Sequence, residues 1–196
     1  MIVLETERLR FRRHEPEDLE PFCRLQKDPR LRRYVGGQPR TPEDARRRFR
    51  QMSRARSRRL GLWATVLKED GRYIGYCGVY PHFRPGGPPR GREGALGFTL
   101  APDFWGRGLG TEAARGLVDD AFARLRLSRI VASVDARNAA SVHILEKLGF
   151  RLRRLERLGR RCLYHLELRN PSEPGGPEKT RVDPDGVCSV PAKTAT

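Results

Sequence analysis

Apolar and polar residues alternate along several short stretches of the chain and recur every three or four residues along others. Alternation places successive side chains on opposite faces of a strand, whereas the longer repeat marks one face of a helix. The alternating stretches predict strands at residues 9–12, 62–67, 73–80, 95–100, 130–134, 150–155 and 161–168. The helical repeats predict helices that start near residues 16, 41, 109 and 138. The predicted order is therefore strand, two helices, three strands, helix, strand, helix and two strands.

Local signals mark the ends of several of these elements. Thr41 followed by Pro42 is a typical helix start, because the hydroxyl can cap the helix and proline suits its first turn. Glu69-Asp70-Gly71 predicts a hairpin between the second and third strands. Residues 81–91 are rich in proline and glycine and predict a long, mobile loop at the rim of a site.

Length and composition predict one domain followed by a tail. We expect residues 1–170 to form the domain and residues 171–196, which have little to bury, to be a disordered tail. No apolar stretch approaches the roughly 20 residues of a membrane helix, and the first residues do not resemble a secretory signal. The four cysteines lie far apart, so we expect free thiols, no metal site and a cytoplasmic location.

The chain is strongly basic, and two interpretations of that charge remain open. The net charge is +16, and only five of the 40 basic residues are lysine. Arginines are concentrated on the helix that starts near residue 41 and just after it, between Arg46 and Arg59. Such a surface can contact RNA or an acidic protein, whereas a GC-rich coding sequence produces the same skew on a solvated face. Aromatic side chains for base stacking are sparse there, which favours the solvated face.

The stretch FWGRGLGTEAAR at residues 104–115 is the strongest candidate for a binding site. Its three glycines allow backbone conformations that other residues avoid, and a helix begins directly after them. The first backbone N–H groups of a helix have no internal partner and favour an anion. A dinucleotide-binding site would carry its glycines directly after a strand, but Pro102 to Trp105 intervene here. A P-loop would need a lysine after Gly110, where Thr111 stands.

The element order and three separate motifs resemble the GNAT superfamily of N-acetyltransferases. Residues 105–110, WGRGLG, match the acyl-CoA loop of that family, Gln/Arg-x-x-Gly-x-Gly/Ala, except at the first position. Tryptophan at that position, NAAS at residues 138–141 with EKLGF at 146–150, and TERLR at 6–10 resemble the branch of the ribosomal-protein N-terminal acetyltransferases. The resemblance covers about residues 3–169.

The resemblance implies a fold, a cosubstrate and a set of binding residues. The fold would be one α/β (α+β) domain with a mixed, largely antiparallel sheet, splayed between the fourth and fifth predicted strands, and helices on both faces. Acetyl-CoA would be the cosubstrate, with its pyrophosphate on the glycine stretch and its pantetheine arm paired with the end of the fourth strand. The implied binding residues are Phe98, Thr99, Leu100, Trp105, Gly106, Arg107, Gly108, Leu109, Gly110, Thr111, Asn138 and Ser141. Asn138 and Ser141 also suit a helix cap.

The implied reaction is direct attack of an amine on the thioester, and two of its usual residues are missing. Many family members protonate the leaving sulfur with a tyrosine where this chain has Leu145, so Ser141 or water would have to serve. The branch often has a glutamate base where this chain has Ala95. Glu93 lies on the same strand face and is the leading candidate for the base, with a solvated strand-end charge as the alternative.

Amine basicity favours one class of acceptor. A lysine amine of pKa about 10.4 costs about 4.6 kcal/mol to neutralise at pH 7, whereas an α-amine of pKa about 7.8 costs about 1 kcal/mol. A site without a strong base therefore suits a peptide N-terminus or another weakly basic small amine. The alternative function is an acyl-CoA-binding module without activity, whose basic surface contacts RNA or the ribosome. The sequence leaves open whether the chain is a monomer or a homodimer.

Overall fold

The computed structural model describes residues 1–36, 38–54, 60–83, 89–159 and 161–173. The strands are β1 Ile2–Glu5, β2 Leu9–Arg12, β3 Trp63–Leu67, β4 Tyr73–Phe83, β5 Pro89–Leu100, β6 Arg129–Asp135, β7 Arg151–Leu158 and β8 Arg161–Arg169. The helices are α1 Leu19–Lys27, α2 Pro29–Arg32, α3 Pro42–Ser53, α4 Leu109–Ala123 and α5 Ala139–Lys147. Short 3-10 turns at Pro16–Asp18 and Pro102–Phe104 precede α1 and the glycine stretch. The predicted tail beyond residue 173 and the arginines at 56, 58 and 59 lie outside the described residues.

Within the described residues, the strands form one mixed sheet in the order β1-β2-β3-β4-β5-β6-β8-β7. Every neighbouring pair is antiparallel except β5 and β6, which run parallel. These two strands pair only from Glu93 with Arg129 to Ala95 with Val131, and beyond that point they diverge. The predicted splay between the two strands is therefore confirmed.

Helices cover both faces of the sheet, as predicted. The large core lies under α4, where buried residues of that helix pack on apolar side chains of the central strands. A smaller cluster of Phe22, Phe49 and Met52 joins α1 and α3 on the other face. Strand β4 contributes to both clusters, because Cys77 belongs to the large core and its neighbour Tyr76 packs on the small cluster. Among the described residues, no helix is long and apolar enough to cross a membrane.

Four features differ from the sequence prediction. Helix α2 was not predicted, because its four residues are too few to show a helical repeat. Strand β1 was not predicted, because Ile2–Glu5 is a short, partly exposed edge strand that pairs only with β2. The loop predicted at residues 81–91 is too long, since β4 extends to Phe83 and β5 starts at Pro89. The hairpin tolerates proline there because its register is irregular between Pro81 and Phe83. The helix predicted from Pro16 begins as a 3-10 turn and becomes α-helical at Leu19.

Candidate active site

The divergence of β5 and β6 opens a cleft of about 460 Å³. Strand β5 contributes Phe98 to Leu100, the glycine stretch and the start of α4 form one wall, and the start of α5 forms another. Leu31, Tyr34 and Val35 close the cleft from the side of α2. The volume is within the usual range of a small-molecule site. The predicted binding residues on β5, α4 and α5 thus surround a single cavity, whereas the predicted Arg107 is not among the lining residues.

Glycine is required at two positions of this wall by backbone conformation. Gly106 and Gly108 have φ angles of 73° and 76°, in the left-handed region that strains other residues. Space is not the constraint, because a Cβ on Gly106 would meet nothing within 4 Å. Gly108 is the N-cap of α4, and no side chain caps this helix. The first N–H groups of α4, at the positive end of the helix dipole, thus have no capping side chain as acceptor.

The glycine stretch is held in place from outside by the N-terminal segment. Glu112 accepts hydrogen bonds from the Thr6 hydroxyl at 2.6 Å and from the Arg8 side chain at 2.6 Å. Burial acts to raise the pKa of Glu112, but these hydrogen bonds outweigh burial and lower it. Arg8 also donates to the carbonyl of Arg107 at 3.0 Å. Glu112, an acidic residue in the first turn of α4, therefore anchors the loop.

Trp105 and Phe104 fix the other side of the stretch. The indole N–H of Trp105 donates to the carbonyl oxygen of Leu100 at 2.8 Å, which ties the loop to the end of β5. The guanidinium groups of Arg107 and Arg72 lie 5.4 and 5.3 Å from the centre of the Phe104 ring, within the range of a cation–π contact. The tryptophan that departs from the common loop motif thus has a structural partner in this chain.

The start of α5 uses its donors internally. The side-chain oxygen of Asn138 accepts from the backbone N–H of Ser141 at 3.2 Å, so Asn138 is the helix cap. Both residues line the cleft. Asp135 precedes them with a fully buried carboxylate that bonds Arg137 at 2.9 Å and Arg161 at 3.0 Å. Hydrogen bonds from Arg137, and then from Arg161, lower the pKa of Asp135 to about 2 against the opposing effect of burial.

The two candidates for proton transfer occupy different places. Ser141 lines the cleft, but Leu145, at the position of the usual tyrosine, is buried in the core. Glu93 lies where β5 and β6 still pair and is outside the cleft lining. Its carboxylate bonds Arg129 at 2.7 Å and the ring of His82 at 3.1 Å. The assignment of Glu93 as general base stays a prediction, and Arg129 and His82 are two of the groups that its carboxylate contacts.

Several cleft residues were missed by sequence reasoning. Tyr34 and Val35 lie just before a glycine pair, in a segment with no predicted helix or strand, and Arg137 and His143 flank the predicted Asn138 and Ser141. Tyr34 is held by its carbonyl oxygen, which accepts from Arg161 at 2.8 Å. Apolar residues ahead of a glycine pair are a weak signal. The hydrogen bond between Arg161 and Tyr34 joins residues 127 positions apart, and no sequence pattern indicates it.

Comparison with known proteins identifies the family. The family described as Acetyltransferase (GNAT) domain matches residues 8–151. The protein named Uncharacterized N-acetyltransferase p20 from Bacillus licheniformis is 33% identical over 152 residues, which cover 76% of this chain and 83% of that protein.

Solved structures share the fold at lower identity. An acetyltransferase of the GNAT family from Bacillus anthracis superimposes with a TM-score of 0.74 at 21% identity, covering 87% of this chain and 99% of that one. The ribosomal-protein-S5-alanine acetyltransferase from Vibrio fischeri gives 0.69 at 19% identity over 89% and 100% of the two chains. The spermidine N-acetyltransferase from Vibrio cholerae, solved with CoA and spermine, gives 0.68 at 16% over 84% and 97%. The resemblance drawn from the motifs is confirmed, and the chain belongs to the GNAT acetyltransferase family as an N-acetyltransferase.

Proposed function

We propose that this enzyme transfers the acetyl group of acetyl-CoA to a primary amine by direct attack of the amine on the thioester. The observation that carries the proposal is the uncapped, glycine-led start of α4 at the edge of a cleft between two splayed strands. A pyrophosphate suits the free N–H groups of Gly106 to Thr111. A pantetheine arm suits the backbone of Phe98 to Leu100, because β6 no longer pairs with β5 there.

The residues at the start of α5 would act on the thioester end of the cosubstrate. Ser141 lines the cleft and carries a hydroxyl, whereas Leu145 cannot donate a proton. We therefore assign to Ser141, or to water beside it, the proton that the leaving thiolate takes up. Asn138 orients Ser141 by capping the helix on which it lies. Direct attack needs no covalent intermediate on the enzyme, so these groups need only position the thioester and supply that proton.

The charges around the cleft favour an acceptor with a single amine. Among the described residues that line the cleft, Arg137 is basic and none is acidic. The nearby carboxylate of Asp135 is committed to Arg137 and Arg161. A polycation such as spermidine would meet repulsion there without a compensating carboxylate. Together with the low cost of neutralising an α-amine, this charge distribution supports a peptide N-terminus or a small, weakly basic amine as the acceptor.

A second candidate function is an acyl-CoA-binding module without catalytic turnover. The observation in its favour is Leu145, buried at the position where many relatives have a tyrosine acid. The exposed arginines of α3, among them Arg46 and Arg50, would then provide a basic surface for RNA or a ribosomal partner. Such a module would still bind acyl-CoA at the start of α4 but would not catalyse acetyl transfer.

A panel of acceptors separates the two functions. The full chain is incubated with acetyl-CoA and one of four acceptors: a short peptide with a free N-terminus, its Nα-acetylated form with one lysine, a small monoamine, or spermidine. Release of free CoA thiol is followed, and thermal shifts with acetyl-CoA are recorded in parallel. We expect stabilisation by acetyl-CoA and fastest turnover with the free N-terminus or the monoamine. Stabilisation without turnover would support the binding module, and a preference for spermidine or lysine would overturn the proposed acceptor class.

A further inference from the structure

Three polar side chains form a hydrogen-bonded chain across the strands next to the cleft. The hydroxyl of Ser133 on β6 lies 2.9 Å from Nδ1 of His165 on β8. Nε2 of the same ring lies 2.6 Å from a carboxylate oxygen of Glu156 on β7. We propose that Ser133, His165 and Glu156 form a proton relay that removes the proton of the acceptor amine. This inference rests on the proposed acetyl transfer to an amine.

The partners of His165 determine the direction of the hydrogen bonds. A carboxylate only accepts, so Nε2 of His165 must carry the proton that is shared with Glu156. In the neutral ring, the form that can take up a proton, Nδ1 is then the acceptor, and the hydroxyl proton of Ser133 points at it. The lone pairs of the Ser133 oxygen consequently face away from the ring and can accept a proton from an incoming ammonium group. Arg154 donates to the same oxygen of Glu156 at 2.9 Å and holds the carboxylate against the ring.

The sheet register brings these residues together without strain. Ser133 and His165 are directly opposed on the antiparallel pair β6 and β8. His165 opposes Arg154 on β7, and Glu156 lies two residues further along, a diagonal distance that long side chains span. All three side chains keep contact with solvent, since Ser133 is exposed and those of His165 and Glu156 are 28% and 33% exposed. A proton taken up by the ring can therefore pass on to water.

Ser133 lies beside the point where the sheet opens. It follows the last β5–β6 pair, at Val131, by two residues, or about 7 Å along the strand. Its neighbours Ala132 and Val134 are buried in the core under α4, so Ser133 points to the other face. Asp135 shares that face and connects through Arg161 to Tyr34, which lines the cleft. Ser133 is not among the residues that line the cleft, so the relay would meet the acceptor at the cleft edge. Helices α4 and α5 pack on the opposite face, and α1 and α3 pack on Tyr73 and Tyr76 of β4 rather than on β6.

The proposed step balances as follows. An acceptor ammonium gives one proton to the Ser133 oxygen while the Ser133 hydroxyl proton passes to Nδ1 of His165, and the imidazolium later loses a proton to water. The neutral amine attacks the thioester carbonyl, so that a C–N bond forms and the C–S bond breaks. The second proton of the attacking nitrogen ends on the CoA sulfur. An amine that is already neutral needs no proton transfer to the relay.

This difference between acceptors provides the test. Ser133→Ala is compared with the unchanged protein on two acceptors at pH 7, a peptide with a free α-amine and the hydrazide of a matching carboxylic acid, which is neutral at that pH. We expect kcat for the α-amine to fall about fivefold, because most of that amine is protonated at pH 7, and kcat for the hydrazide to change by less than about twofold. The thermal shift with acetyl-CoA should be unchanged. His165→Ala should show the same pattern and regain rate when imidazole is added.

A matched control is Glu5→Gln, which removes the carboxylate bonded to Arg10 across β1 and β2 at the far edge of the sheet. It should leave both rates unchanged. Equal losses on the two acceptors, or unchanged kcat on both, in Ser133→Ala would overturn the relay and leave acetyl transfer intact. Failure of the unchanged protein to turn over either acceptor would overturn the proposed function, and the relay with it.

Discussion

The helices α4 and α5 both begin at the edge of the cleft, and their first turns use the backbone donors in opposite ways. Helix α4 follows the left-handed Gly108, and no side chain caps it. Helix α5 follows Asn138, whose side chain accepts from the backbone N–H of Ser141. The first turn of α4 thus has no capping side chain for its N–H groups, whereas the cap of α5 binds one N–H group and fixes the first residues of that helix.

Both helix starts are nevertheless stabilised by a carboxylate that pairs with arginine. A carboxylate beside each start binds arginine, Glu112 at α4 and Asp135 at α5. The carboxylate of Asp135 also accepts from the backbone N–H of Arg137, inside the turn that leads into α5. The side chain of Glu112 instead binds Thr6 and Arg8 of the N-terminal segment, so it does not occupy the N–H groups of the glycine stretch. A helix start that is to bind an anion therefore needs backbone N–H groups without an internal acceptor. The side chain that stabilises such a start must bind other groups, as Glu112 does.

The largest effect is expected from removing the carboxylate that stabilises the start of α5. In Asp135→Asn, Arg137 and Arg161 lose their carboxylate. The pKa of Asp135 is lowered from 3.8 to about 2, so its charge stabilises the fold at pH values above 3.8 and this contribution is lost as the pH falls towards 2. The shift corresponds to about 2 kcal/mol of unfolding free energy at pH 7.

Urea unfolding at several pH values measures this contribution. The unchanged protein should be more stable than Asp135→Asn at pH 7, and the difference should shrink between pH 4 and pH 2. A difference that is the same at pH 7 and pH 2.5 would show that the carboxylate charge is not the cause.

A smaller loss is expected at the start of α4. Gly108→Ala would force alanine into a left-handed conformation at a cost of about 1–2 kcal/mol. The added methyl group would meet only Arg8, at 3.5 Å, which is ordinary contact. The backbone should relax and move the N–H groups of Leu109 and Gly110. We expect a lower unfolding free energy together with about tenfold weaker binding of acetyl-CoA by calorimetry.

Gly71→Ala is the matched control for this change. Gly71 has a φ of 71° in the hairpin between β3 and β4, and its added Cβ would meet nothing within 4 Å. It carries the same backbone strain without bordering the cleft. Its substitution should lower stability by a similar amount and leave acetyl-CoA binding as it is. Equal binding losses in both variants would mean that the α4 start has no special role.

The fold and half of the site could be predicted because their signals are local. Alternation of apolar residues located seven of the eight strands in the described part of the chain, and the short edge strand Ile2–Glu5 lacked enough pattern. The glycine stretch and Asn138 with Ser141 are contiguous motifs, so the sequence located the α4 and α5 walls of the cleft. The prolines near residue 81 indicated a loop, but pairing between β4 and β5 keeps much of it in strands.

The rest of the site depends on pairing between distant segments. Ser133, Glu156 and His165 meet only because β8 lies between β6 and β7, an order that crosses the sequence order. Tyr34 joins the cleft through Arg161 from the other end of the chain. Glu93 had the right residue type for a base, and its partner Arg129 lies on a strand whose parallel register the sequence does not specify. Site residues that lie together in one segment of sequence could be predicted, whereas site residues that come together from different strands could not.

The smallest effect is expected from uncapping α5, which would make its start resemble that of α4. Asn138→Ala frees the N–H of Ser141 and should lower the unfolding free energy by about 1 kcal/mol, while Asn138→Asp keeps an oxygen at the cap and should retain most of the stability. Both are measured by urea unfolding at pH 7, with acetyl-CoA binding by calorimetry in parallel. If Asn138 acts only as a cap, binding should weaken no more in Asn138→Ala than the loosened first turn requires, and it should recover in Asn138→Asp. Unchanged stability with weaker acetyl-CoA binding in both variants would instead indicate that the Asn138 amide contacts the cosubstrate. Both helix starts would then contribute to acetyl-CoA binding.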